Sequence, residues 1–238
     1  PPRSTLFPYT TLFRSDLGGA AYVYERNAGG VNAWGEVAKL TASDKAASDQ
    51  FGTSVSVDGD LALVGAFGAD PDGVSGAGAA VVIPFNREDW REKSKLTASD
   101  KAAEDRFGYS VSVAGDVALV GAYGASPGGV TNAGAAYVYE RNAGGTNAWG
   151  EVAKLTASDL AAFDGFGDSV SVDGDVALVG AHWADPGGVN SAGAAYVYER
   201  NAGGTNAWGE VTKLSASDRT PCDGFGDSVS VDGEVALV

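Results

Sequence analysis

From Ser169 to Val172 small polar and apolar residues alternate, Asp173-Gly174 follows, and the chain then runs apolar from Val176 to Val179. A period of two marks a strand with unlike faces. Asp-Gly between two such runs marks a tight hairpin, because glycine accepts the positive φ that a type I′ turn demands. A loop rich in Gly, Pro and Asp, WADPGGVNSAG, leads to AAYVYER, where Tyr196, Val197 and Tyr198 favour a third strand. A second loop, NAGGTNAWG, precedes a fourth strand, EVTKLSA.

This phrase recurs. Phe-Gly pairs begin at Phe51, Phe107, Phe166 and Phe225, spaced 56, 59 and 59 residues apart, and KLTASD or KLSASD starts at Lys39, Lys95, Lys154 and Lys213. A Trp keeps the same beat at Trp34, Trp90, Trp149 and Trp208. Repeats of this length are structural units that bury their faces on their neighbours. Four short antiparallel strands per repeat, with no amphipathic helix, predict an all-β fold: a β-propeller of four-stranded blades. The boundaries fall at 16–44 (the second half of a blade), 45–100, 101–159 and 160–218 (whole blades) and 219–238 (the first half of another), an arc of about four blades. The two halves are expected to leave the arc open rather than to close it as one further blade. The blade at 45–100 is the irregular one: AVVIPFNREDW is three residues shorter than its counterpart, and Pro84 predicts a bulge or an early end in its third strand.

Residues 1–15 stand outside the repeat. Thr5 to Ser15, TLFPYTTLFRS, look like the conceptual translation of a sequencing adapter, so residues 1–15 read as non-native and without a packing role. The chain stops at DGEVALV, short of the Gly-Ala that closes the phrase elsewhere, so both ends read as truncations.

The composition supplies a core: 44% of the 238 residues are hydrophobic, and 35 glycines serve many tight turns. A net charge of −15 argues against nucleic acid, whose phosphates call for a basic surface, and favours cations or basic partners. No apolar run is long enough to span a membrane.

Phe-Gly, a hairpin and then LVGA, repeated through residues 16–238, resembles the FG-GAP repeats of the integrin α-subunit propeller, and AYVYERN and KLTASD are closest to its prokaryotic members. The resemblance implies a seven-bladed parent, an extracellular or cell-surface location, and a role in adhesion or ligand binding. The alternative is an accessory propeller of a larger extracellular enzyme. Calcium-binding blades of that family carry an acidic DxDxDG loop between strands one and two. Here the connection is only VDGD or VAGD, such as Asp58-Gly59-Asp60, so no metal site and no cofactor are carried over. Phe67, Tyr123 and His182, which replace the last letter of the motif, read as surface loop positions.

The serines of strand one, such as Ser110 and Ser112, read as small residues for a crowded inner strand, since no base recurs beside them. His182 and Cys222, each present once, form neither a metal site nor a catalytic dyad by this reading, and the chain reads as non-catalytic. The candidate ligand-binding residues are the acidic pairs before each Phe-Gly: Asp44 and Asp49, Asp100 and Asp105, Asp159 and Asp164, and Asp218 and Asp223. They read either as a ring of carboxylates for a basic ligand or cation, or as turn-capping aspartates. Antiparallel connectivity puts the strand-four-to-one and strand-two-to-three loops on one face. These are the loops that vary between copies, which makes that face the expected contact surface for an unknown protein or surface ligand.

Overall fold

The structure is a computed structural model and describes residues 5–6, 18–86 and 89–238. Strands β1 (Thr5–Leu6), β2 (Ala21–Arg26) and β3 (Trp34–Leu40) form the first sheet. The second holds β4 (Val55–Asp58), β5 (Leu61–Ala66), β6 (Ala79–Asn86), β7 (Asp89–Trp90) and β8 (Ser94–Leu96). The third runs in chain order through β9 (Ser110–Ala114), β10 (Val117–Ala122), β11 (Ala135–Arg141) and β12 (Trp149–Leu155). The fourth does the same through β13 (Val170–Asp173), β14 (Val176–Ala181), β15 (Ala194–Arg200) and β16 (Trp208–Leu214). The last sheet pairs β17 (Ser230–Asp232) with β18 (Val235–Leu237). Among the described residues the strands pair antiparallel within each sheet, and the two terminal half-blades stay in separate sheets. Among the described residues no helix is long and apolar enough to cross a membrane.

The continuous apolar run of strand two is explained by burial on both faces. Leu119 of β10 packs with Phe166, Val179 and Tyr196 of the following blade. Its neighbours Ala118 and Val120 pack with Leu63 and Val82 of the preceding one. Each core is therefore a seam between two blades. Phe107 and Phe166, both wholly buried, each fill one seam beside the strand-three tyrosines of their own blade.

The seams close tightly at the innermost strands. Ser110 Oγ donates to the carbonyl of Gly167 in the next blade at 2.7 Å, and Ser54 makes the same bond to Gly108. The second serine accepts instead: Val172 N–H donates to Ser112 Oγ at 3.0 Å. Small size admits these serines, as expected, but their hydroxyls also bridge inner strands of adjacent blades.

Three local expectations need correction. The hairpin loop is Gly59-Asp60, one residue later than Asp-Gly, with Asp58 paired to Leu61. Gly59 takes φ 57° and Asp60 does not take positive φ, the pattern of a type II′ rather than a type I′ turn. Pro84 does not end strand three: β6 runs on to Asn86 with Pro84 opposite Leu61, and the irregularity falls on strand four, which is divided into β7 and β8 with its register against β6 shifted by one residue across Pro84. Finally, Thr5–Leu6 pair with Tyr24 and Val23 of β2, so two residues of the adapter-like segment take the place of a second strand; the rest of 1–15 lies outside the described residues.

Candidate functional site

The varied loops do share one face. The loop after β5 and the connection from β8 to β9 run side by side: Glu104 N–H donates to the Ser75 carbonyl, Arg106 N–H to Gly76, and Phe107 N–H to Ala77, at 2.9 to 3.0 Å. The next pair of loops repeats this, with Phe163 N–H bonded to the Thr131 carbonyl at 2.9 Å. Within each strand-two-to-three loop a side chain ties the ends. Asp70 accepts from Gly76 N–H and Asp185 from Ser191 N–H, and Ser126 does the same work for Asn132.

The acidic pairs are tied into the scaffold, the first member in three of them to the repeat that follows it. Asp100 accepts the Tyr137 hydroxyl at 2.8 Å and pairs with Lys154 at 2.5 Å; Asp159 has the same partners in Tyr196 and Lys213. Asp44, whose blade has Val81 where the others have tyrosine, keeps only Lys95. The second members cap their own turns: Asp49, Asp105 and Asp164 are buried and accept from the amides of Ala46, Ala102 and Ala161. Asp223 accepts both the N–H and the hydroxyl of Thr220. With Asp218 it lines an open concavity of about 670 Å³. Turn capping thus accounts for the second members, and a blade-to-loop ion pair for Asp44, Asp100 and Asp159.

Their protonation follows from these contacts. Desolvation works to raise the Asp100 carboxyl, but the Lys154 and Tyr137 hydrogen bonds outweigh it and hold it below the ordinary value; Asp159 behaves alike. Asp105 and Asp164 are raised by desolvation, only partly opposed by the backbone amide each accepts. Lowered folded values mean that Asp100 and Asp159 add stability above the unfolded value of about 3.9 and lose it as pH falls through their folded values. Raised values mean that Asp105 and Asp164 have the opposite sign and favour folding as pH falls. Replacing Asp100 with alanine is expected to cost about 1–3 kcal/mol, because it strands the hydroxyl of the wholly buried Tyr137. Urea unfolding of D100A, Y137F and the double variant checks this. The double variant should cost less than the sum of the singles, and strict additivity would mean that the hydroxyl and carboxylate do not interact.

Position-by-position differences between repeats mark a cleft apart from the acidic pairs. Trp183 stands where the other copies have Gly68 and Gly124. At those glycines a Cβ would lie 2.1 Å from the Ser48 carbonyl oxygen and 2.2 Å from that of Glu104, so this loop must be rearranged to admit an indole. Gly165, a glycine the last copy shares as Gly224, occupies the place of Gln50 and Arg106, and a Cβ there would lie 2.5 Å from the Trp183 ring. Phe163 occupies the place of Ser48 and Glu104 at φ 69°, the left-handed conformation all three share. Phe163 and Trp183 remain 60% and 43% exposed. With Tyr123, whose ring centroid is 6.0 Å from that of Trp183, they line a cleft of about 450 Å³ between two blades, with Asp164, Asp185 and Asn190 also on its walls.

Next to this cleft, His182 has Asp168 and Asp227 as neighbours. Burial pushes the Asp168 carboxyl up, with His182 opposing. Reading His182 only against Cys222 missed both aspartates, which follow consecutive Phe-Gly pairs. The positions of Phe67, Tyr123 and His182 are also not simple surface: Phe67 and Tyr123 are half-buried against Tyr109, at centroid distances of 5.4 and 4.5 Å.

Four-stranded antiparallel blades that bury their faces on one another and present varied loops on one face define a β-propeller, here in part. The FG-GAP repeat family model matches residues 34–83, 90–139, 149–198 and 208–238, more than half of the chain, and the chain belongs to that family. A search of curated proteins gave no match.

Proposed function

We propose that the chain is a non-catalytic binding module of an extracellular or surface-located protein, with a role in adhesion, and that it takes a basic segment of a partner protein in the cleft of Tyr123, Phe163 and Trp183. The observation that carries this reading is the exposed aromatic surface on the face of the varied loops. Large apolar rings beside polar groups in a concave site are the usual make-up of a binding pocket. Guanidinium and ammonium groups stack on such rings, and the chain already makes this contact internally, with Arg141 over Trp149, Arg200 over Trp208 and Arg106 over Tyr123. The cleft carboxylates and the net charge of −15 favour a cationic ligand over an anionic one.

The test is fluorescence anisotropy of a labelled arginine-rich peptide against the full chain. Trp183→Gly, which restores the glycine of the other copies, and Phe163→Ala are each expected to weaken binding by about tenfold, in line with a cation–π contact of about 0.5–2 kcal/mol. Affinity should also fall as salt rises, given a Debye length of about 8 Å at physiological ionic strength. Thr205→Ala, on the opposite face, should leave it unchanged. Equal binding by wild type and both cleft variants would overturn the reading.

A further inference from the structure

We propose that Asp168, His182 and Asp227 form a site for a divalent transition-metal ion of the zinc or nickel kind, beside the cleft and distinct from it. The three donors come from separate segments that the fold brings together. Asp168 and Asp227 each follow a Phe-Gly pair, at the starts of successive innermost strands, and His182 follows β14. One ligand atom from each lies within 4.8 Å of the others. Among the described residues this is the one group of three or more such side chains drawn so close.

The preceding copy shows what the positions hold otherwise. There Tyr109 and Tyr123 meet edge to face with centroids 4.5 Å apart, so ring packing occupies the place that Asp168 and His182 take here. Exchange of apolar rings for nitrogen and oxygen donors, in a partly closed position, costs desolvation unless something compensates the charge. The groups present do so incompletely. The Asp168 side chain is only 7% exposed. His182 Nδ1 lies 2.7 Å from its Oδ2 and 4.0 Å from Asp227 Oδ1. This one nitrogen reaches Asp168 at hydrogen-bonding distance and leaves Asp227 without so close a partner among the three. Among the described residues no lysine or arginine forms an ion pair with either aspartate. Two carboxylates therefore face a single imidazole.

A cation among the three would take the Nδ1 nitrogen as a ligand in place of its proton and neutralise the carboxylates together. Imidazole with carboxylate suits zinc, copper or nickel, and one nitrogen and two oxygens leave a tetrahedral ion a position for water. Calcium, which takes six to eight oxygens, is poorly served.

The experiment is calorimetric titration of the full chain with zinc, then nickel, in a Cys222→Ser background that removes the exposed thiol. One saturable site is expected. His182→Tyr, which restores the residue of the preceding copy, and Asp168→Asn should each weaken it by more than the roughly tenfold that loss of an outer-shell partner costs. Nickel should also quench tryptophan fluorescence, since the Trp183 ring centroid is 3.9 Å from that of His182, and Trp183→Gly should abolish most of the quenching while leaving the calorimetric affinity in place. That last variant separates this site from the peptide cleft. Circular dichroism melts establish that each variant is folded. Absence of saturable binding by the parent, or unchanged affinity in folded His182→Tyr, would overturn the proposal and leave His182 and Asp168 as an ion pair only.

Discussion

Phe166→Ala is expected to destabilise the chain by about 3–5 kcal/mol. The ring is wholly buried and sits edge-on to Tyr196 and Tyr198, with centroids 5.4 and 6.0 Å away. It also reaches the preceding blade through the cluster that holds Val117, Leu119 and Val138. The surroundings cannot readily collapse into the space it leaves. Both tyrosines are pinned at their hydroxyls, Tyr196 to Asp159 and Tyr198 to the Thr156 carbonyl, at 2.8 and 2.7 Å. A cavity that stays open costs more than the transfer energy of the ring alone, and two aromatic contacts of about 0.5–1.5 kcal/mol each go with it. Phe163→Ala, on an exposed ring only three residues away, should stay within about 0.5 kcal/mol. Urea unfolding of the two variants measures the contrast. A loss for Phe166→Ala of under about 1 kcal/mol would mean that the seam repacks and that the blades do not depend on its ring.

The period of the landmarks and the alternation within each copy made the strands and their order legible. The face each side chain takes was less so, because β10 and β14 are buried on both sides and their apolar runs carry no alternation to read. The serine bridges were hidden for another reason: the acceptor of Ser110 is a carbonyl 57 positions along the chain, and only the stacking of blades brings it near. The candidate site was misdirected by the same regularity that revealed the fold. Aspartates that recur meet a lysine or an amide that recurs with them, joined in two copies by a tyrosine, so recurrence marks parts of the scaffold. Departures from the repeat mark the rest. Trp183 in place of glycine, Gly165 in place of arginine or glutamine, and His182 in place of an aromatic ring were all visible in the sequence. That they are coupled became visible only when Trp183 was found against Gly165 and His182 between two aspartates.

Gly121→Ala is expected to cost about 3 kcal/mol or to prevent folding, and the reason is space rather than backbone freedom. Gly121 is not at positive φ, so alanine suits its conformation in β10. Its Cβ, however, would lie 1.9 Å from the carbonyl oxygen of Gly167 in the next blade and 2.2 Å from Ser110 Oγ. The serine can turn away only by giving up its 2.7 Å bond to that carbonyl. The carbonyl cannot retreat freely either, since the N–H of Gly167 is bonded to Gly180 at 2.9 Å within its own blade. Gly65 and Gly180 meet the same obstruction, at 1.9 and 2.0 Å, so the glycine of each LVGA phrase is where one blade's second strand touches the Phe-Gly of the next. That contact accounts for the joint recurrence of the two motifs. Gly174→Asn isolates the other cause: a Cβ there meets nothing within 4 Å, but this glycine takes φ 55° at the first central position of the type II′ turn. It should cost about 1–2 kcal/mol, from backbone strain alone. Thermal and urea unfolding of both variants separate the two causes. Gly121→Ala within about 1 kcal/mol of the parent would show that the inner strands part easily, and the tight seam would not be what holds the blades together.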